Sequence, residues 1–465
     1  MYKQKKVIGC LATPDTVESQ SSYNQVFRPK VILYISQQIA ATAVNLVMSG
    51  RNLTLALPEA MRLHPKATQQ QRGGAADLSY GTLRFYGEVN AYLQQLLEKP
   101  LSAEIITNLL QVAIYQLLHD KAEPFTVVNQ AVTAASYAKP RWAKGLVNGV
   151  LRNFLRQKDA LKSKIEADEV ALYSYPQWWI NKLKSQYPST WQGILETGNQ
   201  HPPMTLRVNR RRASVNEYLQ LLARQDIEAT HWGGDAVMLT KPVPVEKIPG
   251  FADGVVSVQD YGAQLAAYLL NPSKGAKVLD ACAAPGGKTC HLLELYDVQL
   301  TALDSDAERL QRVESNLKRL NLQAELKVGQ AEKAHEYWTP GQFDFILADV
   351  PCSASGIVRR HVDMKWLRRE QDIVLFAQQQ SAILQQLWQI LAKGGKLLYV
   401  TCSIFNEENR AQIEDFLQKT PDATLQPIIL DDDNNNNIHI TDGQLIPSPQ
   451  HDGLYYALLQ KRASV

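Results

Sequence analysis

Apolar positions change their spacing along the chain, and each change predicts a different kind of structure. From Val31 to about Lys164 they recur at steps of three and four: Leu93, Leu96 and Leu97, then Ile105, Leu109, Val112, Ile114 and Leu117. Further on come Val127, Val128, Ala131 and Ala135, followed by Leu146, Val147, Val150, Leu151 and Leu155. This spacing puts apolar side chains on one face of successive helices. Pro100, Pro124 and Pro140 interrupt it, so the region predicts short helices with few strands. Residues 1–27 are polar and aperiodic and predict a flexible lead-in.

The stretch from Tyr175 to about Gly250 is mixed. Trp178, Trp179 and the doublet Pro202-Pro203 lead into a strand expected over 204–209, which predicts a small α+β connector. After Gly275 short apolar runs ending in Asp or Gly alternate with helical stretches, the mark of a mostly parallel sheet covered by helices. Strands are expected at 277–280, 299–304, 325–328, 343–349 and 395–401. The polar tract 431–437 predicts an exposed loop. Four divisions follow: a lead-in over 1–27, an all-α domain over 28–164, the connector over 165–250 and an α/β Rossmann-like domain over 251–465.

A length of 465 residues agrees with two or three cores. With 45% apolar and 20% charged residues and a mean hydropathy of -0.25, the composition is that of a folded domain protein. There is neither a membrane-length apolar run nor a secretory leader, so a cytoplasmic location is expected. The five cysteines are odd in number and scattered without paired zinc spacing, which predicts free thiols and no metal. Net charge is only +3, yet from Lys30 to Lys164 sixteen Lys and Arg face eight Asp and Glu. A basic face of that kind suits phosphate, although a merely solvated helical surface has the same composition. Arg210, Arg211 and Arg212 form a second, shorter basic cluster that is open to the same two readings.

The chemistry concentrates in the last domain. Val278-Leu279-Asp280-Ala281-Cys282-Ala283-Ala284-Pro285-Gly286-Gly287-Lys288-Thr289 reads as a strand, a glycine turn and a helix, a place where a cofactor can approach backbone closely. Its spacing is neither the dinucleotide fingerprint nor the P-loop. Asp304 ends the next strand, where a carboxylate can accept from both hydroxyls of a ribose. Asp349-Val350-Pro351-Cys352-Ser353 and Thr401-Cys402-Ser403 end two further strands, so two thiols and a carboxylate are expected at the cofactor edge of the sheet. Such a set suits a pyrimidine: a thiolate adds to C6 of cytosine and makes C5 nucleophilic. An acid at Asp349, protonated or hydrogen-bonded and tuned upward by burial, would balance charge near N3. Two buried structural cysteines are the plainer alternative.

These residues resemble the bacterial ribosomal RNA cytosine-C5 methyltransferases of the RsmB (Sun, Fmu) type. The resemblance extends to Ser257-Val258-Gln259-Asp260, Arg359-Arg360-His361-Val362-Asp363, Lys393-Gly394-Gly395-Lys396 and, loosely, Gly453-Leu454-Tyr455-Tyr456-Ala457. The helical region to about Lys164 is similar to NusB-type RNA-binding domains. It implies a monomeric enzyme acting on one cytosine of 16S rRNA. S-adenosylmethionine would be held by Cys282, Ala283, Ala284, Pro285, Gly286, Gly287, Lys288, Asp304 and Asp349. It implies further that Cys402 is the nucleophile and that Cys352 assists product release, with Cys352 the alternative nucleophile. Where the family has an Asp after the third strand this chain has Gln330, whose oxygen can accept from the adenine amine without charge assistance. Two other functions compete: methylation of another RNA or protein nucleophile, which needs no paired thiols, and a catalytically silent RNA-binding assembly factor.

Overall fold

The computed structural model describes residues 33–137, 142–430 and 438–463. The lead-in, Pro140, Arg141 and the tract 431–437 lie outside the described residues.

Helices Leu33–Met48, Leu53–Arg62, Gln69–Arg84, Tyr86–Leu96, Glu104–Leu118, Pro124–Tyr137 and Ala143–Glu166 build the N-terminal region. Local signals set their ends. Thr68 and Gln71 form a capping box, Asn52 caps with its side chain, and Pro124 takes a first-turn position where its missing N–H is not needed. Ile39, Val44, Leu83, Leu110, Ile114, Leu151 and Phe154 are fully buried in one core. Val362, from the opposite end of the sequence, is fully buried in that same core. Around it Trp366 Nε1 donates to Leu83 O at 2.7 Å, and Asp363 Oδ2 accepts from Leu53 N at 2.9 Å. A loop of the C-terminal domain is thus built into the helical region.

Helices Glu169–Tyr173, Gln177–Gln186 and Trp191–Gly198 follow, and Tyr175, Trp179 and Leu195 share a core with Val358, Ile404 and Phe405. A four-stranded antiparallel sheet comes next: β1 (Met204–Val208), β2 (Ala229–Gly233), β3 (Ala236–Leu239) and β4 (Val256–Val258), in the order β2-β3-β1-β4. Helix Val215–Ala223 covers it with Tyr218 and Leu222. Because Leu206, Arg207 and Val208 pair with Val258, Ser257 and Val256, this sheet takes a strand from beyond residue 250, where the connector was expected to stop.

The large sheet contains β5 (Lys277–Ala281), β6 (Gln299–Asp304), β7 (Glu325–Val328), β8 (Phe343–Asp349), β9 (Leu391–Thr401), β10 (Ala423–Gln426), β11 (Ile440–Thr441), β12 (Gln444–Leu445) and β13 (Leu454–Lys461). Its order is β11-β12-β13-β9-β8-β5-β6-β7, with β10 paired to β13. Strands β5 to β9 run parallel and β13 runs antiparallel to β9. Strand β9 starts before the expected Gly395, because its pairing with β8 continues across a register shift between Phe343 and Phe345. Strand order reverses between β5 and β8, which opens a crevice outside their carboxyl ends. The architecture is an all-α domain, a small α+β connector and an α/β Rossmann-like domain. No described helix is long and apolar enough to cross a membrane.

Candidate active site

One half of the crevice is shaped by backbone. Strand β5 runs into a turn in which Cys282 has φ +67° and Gly286 φ +97°. A Cβ on Gly286 would lie 3.1 Å from Val313 Cα, so the turn's conformation and its packing both require glycine there. The turn is closed from within: Ala283 N donates to Leu303 O at 2.9 Å, Gly286 N to Ala283 O at 2.8 Å, and Ala284 N to Asp304 Oδ2 at 3.0 Å. Ala284 O and Pro285 O accept from Arg309 and Asn316. These bonds fix the shape of the turn. Asp304, at the end of β6, is buried and also accepts from Asp306 N at 3.0 Å, which leaves further lone pairs on its oxygens. A cleft of about 100 Å³ is lined by Cys282, Asp304, Ser305, Arg309, Gly329 and Gln330. Burial, with the charges of Asp349 and Asp304 behind it, pushes the Cys282 thiol well up.

The other half is shaped by side chains. Lys288, in the helix Gly287–Leu295 that follows the turn, donates from Nζ to Asp349 Oδ2 at 2.7 Å. Burial works to lower the Lys288 pKa, but the charge of Asp349 and the bond to it prevail and raise it. The Asp349 side chain is 30% exposed and ion-paired, so the isolated burial expected of it is not what the fold provides. Cys352 and Cys402, at the ends of β8 and β9, bring their sulfurs to 3.2 Å. The bond with Cys402, and then burial, push the Cys352 thiol far above its usual range.

Two of the motifs quoted from the sequence meet beside these residues. Arg359 Nε donates to Asp452 at 2.5 Å, and Arg360 bonds Asp452 and, at 3.0 Å, Asp260, so both motifs join Asp452 in one cluster. Burial, then the charge of Asp452, push Asp260 up to about 7. Glu408 is fully buried below the two thiols. Nothing local distinguishes it from the adjacent Glu407, and only its partners from distant segments do. The Arg210 to Arg212 cluster is tied down in part: Arg210 pairs with Asp235 and Arg211 with Asp297. On the long helix Ala143–Glu166, Lys144, Arg152 and Arg156 are exposed, and among the described residues Arg152 and Arg156 bond only the amides of Asn148 and Asn153. Among the described residues no group of three or more His, Cys, Asp or Glu could hold a metal ion.

Known proteins divide along the same lines. Residues 35–156 match the NusB family, 175–246 the ferredoxin-like domain of RsmF/B-like methyltransferases, and 267–460 the 16S rRNA methyltransferase RsmB/F family. Over 436 residues the chain is 41% identical to ribosomal RNA small subunit methyltransferase B of Yersinia enterocolitica, covering 92% of this chain and 99% of that one. The chain belongs to the RsmB/F family of 16S rRNA methyltransferases. The protein of the same name from Yersinia pestis is likewise 41% identical, with the same coverage. Among solved structures, PH0851 superposes with a TM-score of 0.74 at 24% identity, over 92% of this chain and 99% of that one. NSun6 from Pyrococcus horikoshii, solved with SFG, gives 0.56 at 18% identity over 63% and 100%; both likenesses are of fold. Membership of the RsmB/F family makes the chain an rRNA methyltransferase, with the crevice between β5 and β8 as its candidate centre.

Proposed function

We propose that the enzyme methylates C5 of a cytosine in 16S rRNA, with S-adenosylmethionine as donor and Cys402 as the nucleophile that adds to C6. The observation that carries this reading is the 3.2 Å approach of the Cys352 and Cys402 sulfurs at the edge of the crevice. In this reading Cys402 reacts as the thiolate and Cys352 is its hydrogen-bond partner. Adding that thiolate to C6 makes C5 nucleophilic; once C5 has gained the methyl group its proton passes to a solvent base, and the C5–H pair re-forms the ring double bond as the C6–S bond breaks and returns the thiolate. Cys352 assists the last step by restoring its hydrogen bond to the departing sulfur. We assign Asp349 to the N3 side of the ring, with Lys288 as the cation that orients and neutralises it.

The cofactor reading is supported by the cleft itself, whose donor set fits. Asp304 offers a carboxylate for the ribose, Gln330 an amide for the adenine edge, and Cys282 forms the floor beside the glycine turn. When bound, S-adenosylmethionine supplies an electrophilic methyl group on a sulfonium. The chain's part is to hold its nucleoside end and to align C5 with that methyl.

The test is covalent trapping on RNA carrying 5-fluorocytosine, where fluorine cannot leave C5 as a proton does. The parent should form a stable complex linked through Cys402, and Cys402→Ser should form none. A linkage through Cys352 in the parent would overturn the assignment.

For the helical region we propose a phosphate-contacting role for Lys144, Arg152 and Arg156, supported by their exposure and lack of acidic partners among the described residues. A helical region that braces the catalytic domain is compatible with this, because the bracing contacts come from Leu53 and Leu83 rather than from Asn148 and Asn153. Replacing the three cations with Gln in the full chain should flatten the dependence of log affinity on log salt, by about 0.7 per lost contact to single-stranded RNA. Equal slopes in filter binding would leave the region with the bracing role only.

A further inference from the structure

Glu408 lies in the short turn Asn406–Glu408, fully buried, and no step above uses it. Its Oε1 accepts from Ser353 N at 2.8 Å and Gln380 Nε2 at 3.1 Å, and its Oε2 from the Ser353 hydroxyl at 2.5 Å and the Ser403 hydroxyl. Ser353 and Ser403 directly follow Cys352 and Cys402, so one carboxylate grips both cysteine loops. The grip is reinforced on each side. Ser355 Oγ lies 3.0 Å from both serine hydroxyls and accepts from Ile404 N at 2.9 Å, while Gln380 also donates to Pro351 O at 2.9 Å, just ahead of Cys352. Tyr399 fixes the turn itself by donating to Glu408 O at 2.7 Å.

All four donors are neutral. A buried acid with neutral partners is costly to keep ionised, and a structural tie between two loops could be made by uncharged groups at less cost. All four bonds run to Glu408 as acceptor, the pattern a carboxylate makes, and a carboxylate here acts on the adjoining thiols, since a negative neighbour disfavours a second negative charge.

We propose that Glu408 is a positioning residue that sets the spacing of the two thiols and, through its negative charge, keeps the proton on Cys352, so that Cys402 alone is free to act as nucleophile. This rests on the assignment of Cys402 made above. The charge of Glu408 is one of the influences that raise the Cys352 thiol, after its bond to Cys402, burial and the charge of Cys402. Burial raises Glu408 in turn, while its bonds to Ser353, Ser403 and Gln380 oppose the rise.

Both cysteines are only partly buried, so alkylation can report on each. The experiment is iodoacetamide labelling of the full chain across pH 7 to 10, with the modified cysteine assigned by mass spectrometry. The parent should label at Cys402 and spare Cys352. Glu408→Gln keeps the shape and removes the charge, so labelling of Cys352 should rise about tenfold and its pH midpoint should fall by about one unit. In the same variant kcat should fall with little change in KM for RNA. Glu408→Asp retains the charge and should keep the parental preference for Cys402. A folded Glu408→Gln protein with the parental labelling ratio and midpoint would overturn the proposal, whatever its activity. So would a Glu408→Asp protein that labels Cys352 freely, and this second arm decides if Glu408→Gln does not fold. Labelling of Cys352 before Cys402 in the parent itself would instead refute the nucleophile assignment.

Discussion

Asp280, under the glycine turn, and Glu408, under the cysteine loops, are both shut off from solvent at the carboxyl edge of one sheet, and their surroundings differ sharply. Among the described residues Asp280 has one donor, the Thr289 hydroxyl at 2.5 Å, and its second oxygen has no partner. Glu408 has four. Burial, against the bond from Thr289, pushes Asp280 up to about 7, so near neutral pH it is poised between its charged and neutral forms. The contrast follows how each half of the crevice is held. The cofactor half is organised by backbone bonds and glycine conformation, and its buried acid is nearly idle. The thiol half is organised by side chains that converge on its acid. Substitutions in the first half should therefore appear in stability and cofactor binding, and those in the second in the chemistry.

The largest effect that would sharpen this contrast is expected at Asp280 itself. A raised pKa means that the native chain binds the proton more tightly than the unfolded chain, whose aspartate titrates near 3.8. The stability tied to this group is full below about pH 4 and is lost as pH rises through 7. Asp280→Asn cannot ionise, so its stability relative to the parent should climb between those limits by about 1.4 kcal/mol for each unit of the shift. Denaturant unfolding at pH 5, 6, 7 and 8 measures this. Parallel profiles for the two proteins would show that Asp280 is as well supported as Glu408 and would dissolve the contrast.

A smaller effect is expected at Asp304. Asp304→Ala should weaken S-adenosylmethionine binding by roughly 1.5–3 kcal/mol, the range for a hydrogen bond to a charged group. The same change removes an acceptor from Ala284 N and Asp306 N, so calorimetric affinity should be read beside thermal stability. Unchanged affinity in a folded protein would take the ribose role away from this residue. The smallest effect belongs to Gln330→Asp. Gln330 is exposed at the mouth of the cleft, so the substitution should strengthen cofactor binding slightly or leave it alone. A marked loss by the same titration would mean that the adenine edge is held in another way.

Much of the large sheet was legible in the sequence because its signals are local. The spans 299–304, 325–328 and 343–349 coincide with β6, β7 and β8: β6 and β8 are largely apolar runs ended by Asp, and β7 alternates polar and apolar residues up to Gly329. The short strands β10, β11 and β12 gave no such signal, since runs of two to four residues lack a measurable period. No strand was expected at 256–258, because the pairing of β4 with β1 is a property of two segments and not of one.

The sequence by itself determined the helical period of the N-terminal region, the strand-to-glycine-turn unit at Asp280 to Thr289, and the identity of the two cysteines, because each depends on residues within a few positions of one another. Tertiary structure alone decided that Lys365, with no acidic partner among the described residues, is fully buried and donates to Arg84 O, 281 positions away, at 2.7 Å. It alone decided that Val362 completes a core otherwise made by the first domain, and that Glu408 meets Ser353 across 55 positions. These contacts have no period and no local signature. They exist because a loop that leaves one sheet edge finds its burial and its hydrogen-bond partners on surfaces that only the folded chain brings together.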